Sequence, residues 1–253
     1  MTDPAEIFAP GFVERPYWWE SAAPEAAGPV ALPERTDVAI IGGGIAGLAT
    51  ALELGRNGVA SVVMDREAIG WGASSRNGGA LSGAGSLGRA RTDLHRALDA
   101  ALLAEMVEEA EASFEAFEAL VAREEIACDY RRTGRFVGAH APKALETLKR
   151  RAEMLNRSGR DLAEILPRAR LAEEIATDRY HGGLVIQRAG ALHPARYVLG
   201  LAQAAARHGS VLCGGTEVLG YARAPEGFRV ETGRGVLRAR HVVVATNGYT
   251  GPA

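Results

Sequence analysis

The sequence has little cysteine, few histidines, no long apolar run and no excess of either charge. Only two of its 253 residues are cysteine. Cys128 and Cys213 are too few for a disulfide framework and lack metal-ligand spacing, so each reads as a buried or idle thiol. No apolar stretch approaches the roughly 20 residues that span a bilayer. The opening MTDPAEIFAP lacks the basic-then-apolar plan of a secretion signal, so a soluble, cytoplasmic chain is expected. With 29 basic and 31 acidic side chains there is no broad basic field for nucleic acid or an anionic membrane. His95, His140, His181, His208 and His241 show no mutual spacing for a metal or a triad. His193 reads as a residue at a helix start. No metal ligand and no catalytic residue can be named on this basis.

What the chain does have is glycine, 31 residues of it. In DVAIIGGGIAGLATALE (37–53), the apolar run Val38 to Ile41 suits a buried parallel strand. Leu48 to Asn57 carry apolar residues at helical spacing, with Gly58 where a C-cap falls. Val62 to Asp65 read as a second strand, so the whole fits a βαβ unit of about 30 residues. Gly42, Gly44 and Gly47 stand at G-x-G-x-x-G spacing. Gly42 permits the tight turn, Gly44 has no Cβ to block a pyrophosphate, and Gly47 lets the helix pack closely on the sheet. The helix amides and its positive dipole end then face phosphate charge. Asp65, closing the second strand, can bond ribose hydroxyls. It repels a 2′-phosphate, which argues against NADP and leaves NAD and FAD open.

Residues 1–35 are rich in Pro and Ala and contain RPYWWE. They read as an extended arm pinned by Tyr17, Trp18 and Trp19, with a partner-binding patch as the other reading. Residues 70–89 look like loop. From Thr92 to Glu125 the pattern is helical: Leu98, Leu102, Met106, Ala110, Phe114, Phe117 and Val121 form one stripe, with Glu108, Glu109 and Glu111 on the solvated side. CDYRRTGRFVGA suggests a hairpin around Thr133-Gly134, with Arg131, Arg132 and Arg135 exposed. Helices are predicted over 142–158 and 195–208, opened by Pro142 and Pro194. Gly182 to Gln187 suits a strand. Short β pieces follow at 211–213, 216–223, 228–232 and 235–239, and then HVVVATNGYTG, an apolar run ending in a second glycine turn. A βαβ start, a mixed insertion and a late buried strand suggest two interleaved domains.

The loop GWGASSRNGGALSG (70–83) is the second chemical feature. Ser74 and Ser75 offer hydroxyls, Gly78 and Gly79 allow close backbone approach, and Arg76 and Asn77 supply polar donors. An extended dinucleotide such as FAD needs a second contact of this kind; a flexible surface loop is the plain alternative. With this loop the sequence resembles the D-amino-acid-oxidase-like family of FAD-dependent oxidoreductases, in the branch of gamma-glutamylputrescine, glycine and sarcosine oxidases. Four elements carry the likeness in order: Asp65; G-A-S-x-R-N-G-G at Gly72 to Gly79; G-x-x-x-P-x-x-Y at Gly190 to Tyr197; and A-T-N-G at Ala245 to Gly248.

The resemblance implies an α/β, Rossmann-like FAD-binding domain (36–90 and 190–253) interleaved with part of an α+β substrate domain (91–189). It implies a cofactor set of Gly42, Gly44, Ile45, Ala46, Gly47, Asp65, Arg66, Ser74, Ser75, Arg76, Asn77, Gly78, Gly79, Val218, Ala245, Thr246 and Gly248. Val218 is placed near the adenine, and the Ala245–Gly248 turn over the dinucleotide end. The implied reaction is oxidation of the C–N bond of a small amine or amino acid to an imine by hydride transfer to flavin. An NAD-dependent dehydrogenase shares the Gly42 turn but has no reason for the 70–83 loop; a nucleotide-binding fragment without turnover is the other rival. Two departures stand out. The site of Asp65 more usually holds Glu, and family members run well past the A-T-N-G turn, so this chain reads as truncated at its C-terminus, short of strands and substrate residues.

Overall fold

The computed structural model describes residues 8–25, 30–87, 99–157 and 159–250. In chain order the elements are β1 (Arg35–Ile41), α1 (Ile45–Arg56), β2 (Ser61–Met64), β3 (Ala80–Ser82), α2 (Ala100–Arg123), β4 (Arg135–Gly138), α3 (Pro142–Asn156), β5 (Ala163–Pro167), β6 (Gly182–Ile186), β7 (Ala189–Ala191), α4 (Pro194–Arg207), β8 (Val211–Cys213), β9 (Val218–Ala224), β10 (Gly227–Thr232) and β11 (Gly235–Val244). They form two compact units, Met1–Gly78 with Pro194–Ala253, and Gly79–His193. The divisions fall at 78/79 and 193/194 rather than at 90/91 and 189/190, because β3 and β7 pair with each other inside the second unit. The helix expected from Thr92 has its first part (92–98) outside the described residues, as is Ser158 at the end of the next one. Among the described residues no helix is long and apolar enough to cross a membrane.

The first unit is a six-stranded sheet in the order β8-β2-β1-β11-β10-β9. The first four strands run parallel, and β10 pairs antiparallel with both β11 and β9. At its centre Val38, Ala39 and Ile40 of β1 are buried, as a parallel strand covered on both faces requires. Leu48, Ala51 and Leu52 of α1 and Val198, Leu201 and Ala205 of α4 are buried as well. The opposite cluster joins Ala39, Val62 and Met64 to Val230, Leu237 and Ala239. The two pieces expected at 235–239 and beyond are one ten-residue strand. Its first half pairs antiparallel with β10, while Arg238 to Val244 pair parallel with β1.

The second unit holds the antiparallel sheet β4-β6-β5 and the pair β3-β7. Its core packs Leu103 and Val107 of α2 and Leu148, Ala152 and Leu155 of α3 with Leu184 and Ile186 of β6. One expectation is corrected here. There is no hairpin at Thr133-Gly134: Arg131 bridges to Ala191, and β4 pairs with β6. Gly134, with φ of +67°, redirects the chain from one pairing to the next.

The buried face of α2 is also one residue away from the expected stripe. Leu103, Val107, Glu111 and Phe114 are buried, and Leu102 is 46% exposed. Glu111 accordingly sits in the core rather than in solvent. Its Oε1 accepts the Ala84 amide at 2.7 Å. Its Oε2 lies 3.1 Å from Nε of Arg188, an ion pair without hydrogen-bond alignment. Arg188 also pairs with Glu115. A buried carboxylate survives only where such partners offset its lost hydration.

Glu111→Ala should leave the Ala84 amide and the inner side of Arg188 unpaired, lowering stability by about 1–3 kcal/mol. Urea denaturation would read this as a lower midpoint at unchanged slope. An unshifted midpoint would show that the buried pair contributes nothing.

Candidate functional site

The site lies in the first unit, where the register aligns three strand ends. Ile41 pairs with both Met64 and Val244, so β1, β2 and β11 release their loops at one level. The Gly42 amide donates to Met64 at 2.8 Å, and the Ala245 amide donates to Ile41 at 2.8 Å. Gly42 holds a φ of +111°, and a Cβ there would stand 2.7 Å from the Ala245 carbonyl oxygen. A Cβ on Gly47 would overlap the carbonyl oxygen of Gly42, so α1 rests directly on the turn. Side chains are excluded from both positions by backbone, which cannot give way.

Gly44 is the N-cap of α1. The first amides of a helix have no partner within it, and here Ser74 Oγ accepts from the Ile45 amide at 3.1 Å. A Cβ on Gly44 would come within 2.8 Å of that hydroxyl. The two glycine loops thus meet at the helix start. Asp65 ties the same turn from the other side: Oδ2 accepts the Gly43 amide at 2.8 Å and Oδ1 the Glu67 amide at 3.0 Å. Its own carbonyl accepts the Thr216 amide at 2.7 Å. Each carboxylate oxygen keeps a second lone pair for a hydroxyl donor.

These loops surround an open cleft of about 660 Å³, within the size range of small-molecule sites. Of the residues marked from sequence, Gly42, Gly44, Asp65, Arg66, Ser74, Val218, Ala245, Thr246 and Gly248 line it. Ile45 and Ala46 are exposed on the first turn of α1, and Gly47 is buried beneath it. Ser75, Arg76 and Asn77 face elsewhere, toward the Tyr17–Glu20 turn of the N-terminal segment. Ser75 Oγ accepts from Trp19 Nε1 at 3.0 Å, and the Asn77 carbonyl accepts from Trp18 Nε1 at 2.7 Å. The Arg76 guanidinium lies 4.5 Å from the Trp19 ring and 4.2 Å from the Trp71 ring. Gly78 is exposed, and Gly79 belongs to the second unit.

Sequence reasoning passed over Trp71, Thr216, Glu217 and Tyr249, which also line the cleft, as does Asn247 of the Ala245–Gly248 turn. Trp71 and Tyr249 adjoin marked glycines, and that adjacency was the available signal. Asn247 has a φ of +49°, a conformation asparagine tolerates better than most residues. Asp65, Glu67 and Glu217 give the cleft three carboxylates against the nearby Arg66. Both cysteines are buried free thiols, and burial pushes their pKa values up. His193 is buried, and its amide donates to Cys128.

Residues 37–253 match the family model described as FAD dependent oxidoreductase, DAO. The gamma-glutamylputrescine oxidoreductase of Escherichia coli K12 is 34% identical over 216 residues, which cover 85% of this chain and 50% of that protein. A probable oxidoreductase OrdL of Rhizobium meliloti is 30% identical over 92% of this chain and 55% of its own length. Among solved structures, glycine oxidase from Geobacillus kaustophilus superposes with a TM-score of 0.72 at 26% identity, covering 84% of this chain and 55% of that one. The chain spans about half the length of the relatives it matches.

Gly47→Ala should destabilise the first unit by about 2–3 kcal/mol, because the added methyl meets backbone rather than a mobile side chain. Thermal unfolding followed by circular dichroism checks this. A melting temperature equal to that of the wild type would contradict the close approach.

Proposed function

Because the chain belongs to the DAO family of FAD-dependent oxidoreductases, we propose that it binds FAD in the cleft of its first unit and serves the oxidation of an amine or amino acid. The observation that carries this reading is the meeting of two glycine loops at the start of α1, with an acid at the end of the next strand. The residues fit the group. Gly44 gives the helix start room that any side chain would fill, and the cleft is large enough for an extended ligand.

In this reading the first-turn amides of α1 hold the pyrophosphate, aided by the helix dipole. Asp65 accepts from ribose hydroxyls with the lone pairs left by Gly43 and Glu67. Val218 bounds the adenine side, and Ala245, Thr246 and Gly248 close the end of the dinucleotide. Arg66 screens the surrounding carboxylates, which together disfavour a 2′-phosphate. The first unit is then the cofactor domain, and the second supplies part of the substrate domain. Bound FAD supplies a two-electron acceptor, which conversion of an amine C–N bond to an imine requires. The names of the relatives, which include gamma-glutamylputrescine and glycine enzymes, support an amine or amino-acid substrate.

Purified protein should carry flavin absorbance that is released on denaturation. Gly44→Val, which puts a branched side chain against Ser74 Oγ and the helix start, should abolish FAD binding. Equal flavin content in both proteins would refute the site.

Asp65→Ala should weaken FAD by about 1–3 kcal/mol through loss of charge-assisted bonds. Titration of the apoprotein followed by flavin fluorescence measures this, and an unchanged dissociation constant would show that the carboxylate serves only the turn.

A further inference from the structure

The three tryptophans of the chain, Trp18, Trp19 and Trp71, gather at one place. Trp18 and Trp19 come from the Tyr17–Glu20 turn, and Trp71 opens the second glycine loop. Between the indoles of Trp19 and Trp71 stands Arg76, whose Nη2 donates to the Trp71 carbonyl at 2.6 Å. That bond spans the loop from its start to its far side. The two indole N–H groups then bind the loop at Ser75 and Asn77. Asn77 Nδ2 in turn donates to the Ser74 carbonyl at 2.9 Å. Ser74 is the residue whose hydroxyl meets the first amide of α1.

A path therefore runs from the N-terminal turn through Asn77 to Ser74, while Arg76 ties the same turn to the backbone of Trp71. Loops rich in glycine and serine lose much conformational entropy on ordering, and contacts from outside the loop must offset it. A guanidinium between two aromatic faces is an effective contact of that kind, since both faces attract the cation and the plane fixes its orientation. Arg76 is not among the residues lining the cleft; its guanidinium lies against the two indoles and the Trp71 carbonyl, with Nε buried and without a hydrogen-bond partner.

We propose that the Trp18-Trp19 turn and Arg76 form a latch that positions the second glycine loop for the cofactor. These are positioning residues: they act through Ser74 and the 71–74 backbone. The inference rests on the reading that the cleft takes FAD, and it adds that residues upstream of the first strand govern the affinity.

The test uses the full chain with Trp19→Ala, Arg76→Met and Trp19→Phe. Trp19→Ala and Arg76→Met should each weaken FAD about tenfold by flavin-fluorescence titration. Amide exchange over 71–77 should quicken in both, while β1 and β6 keep their protection. Trp19→Phe keeps an aromatic face and should recover most of the affinity. Wild-type affinity with unchanged exchange at 71–77 in the first two variants would overturn the latch. Faster exchange spread evenly over the chain would also overturn it, as the mark of a general loss of stability. A wild type that fails to bind FAD would defeat the cofactor reading instead, and exchange at 71–77 in Trp19→Ala would then decide the latch alone.

Discussion

The constraint on which the first unit depends is the closeness of three backbone segments. The carbonyl of Gly42 lies under Gly47, and the carbonyl of Ala245 lies against Gly42. The first approach fixes the angle at which α1 leaves the sheet. The second forces β1 and β11 to end side by side, which the pairing of Ile41 with Val244 reflects. With those strand ends level, the Asp65 loop on the other side of β1 reaches the Gly43 amide. A cleft bounded by three loops follows from two missing side chains.

The legible part of this arrangement was local. Strand, glycine turn, helix and second strand lie within about 30 residues, and each has a spacing that physical chemistry explains. Asp65 was visible as an acid at a strand end; its bond to Gly43 was not, because nothing in the sequence states where a carboxylate turns. The same holds for Arg76. As a polar residue in a glycine loop it reads as a ligand contact, and its indole partners include one from a segment far upstream. β11 reads as two pieces in sequence, although Leu237 and Ala239 alternate with Arg238 and Arg240 without a break, and its two halves have different pairing partners.

In the second unit the errors have another origin. Periodicity assigns a helix face by polarity, so a glutamate marks the solvent side. Glu111 defeats that rule because Arg188 and the Ala84 amide reach it from elements distant in sequence. The apolar positions Leu103 and Val107 then define the buried face with it. At Thr133-Gly134 the turn signal was real but its meaning was not. Gly134 passes the chain between two different pairing partners instead of folding one strand back on its neighbour.

The pairing of β1 with β11 also sets an order of events during biosynthesis. Ile41 meets Val244 across about 200 residues of chain, and a ribosome adding roughly 5–20 residues each second needs on the order of 10–40 s to cover that distance. The second unit is one unbroken stretch, Gly79–His193, and can complete its contacts as it emerges. β1 and β2 can pair with each other early, but the outer edge of β2 waits for β8 and that of β1 for β11. Until then each offers open hydrogen-bonding groups to any other nascent strand. A cell making this chain therefore has reason to shield the segment from Arg35 to Met64 until those strands arrive.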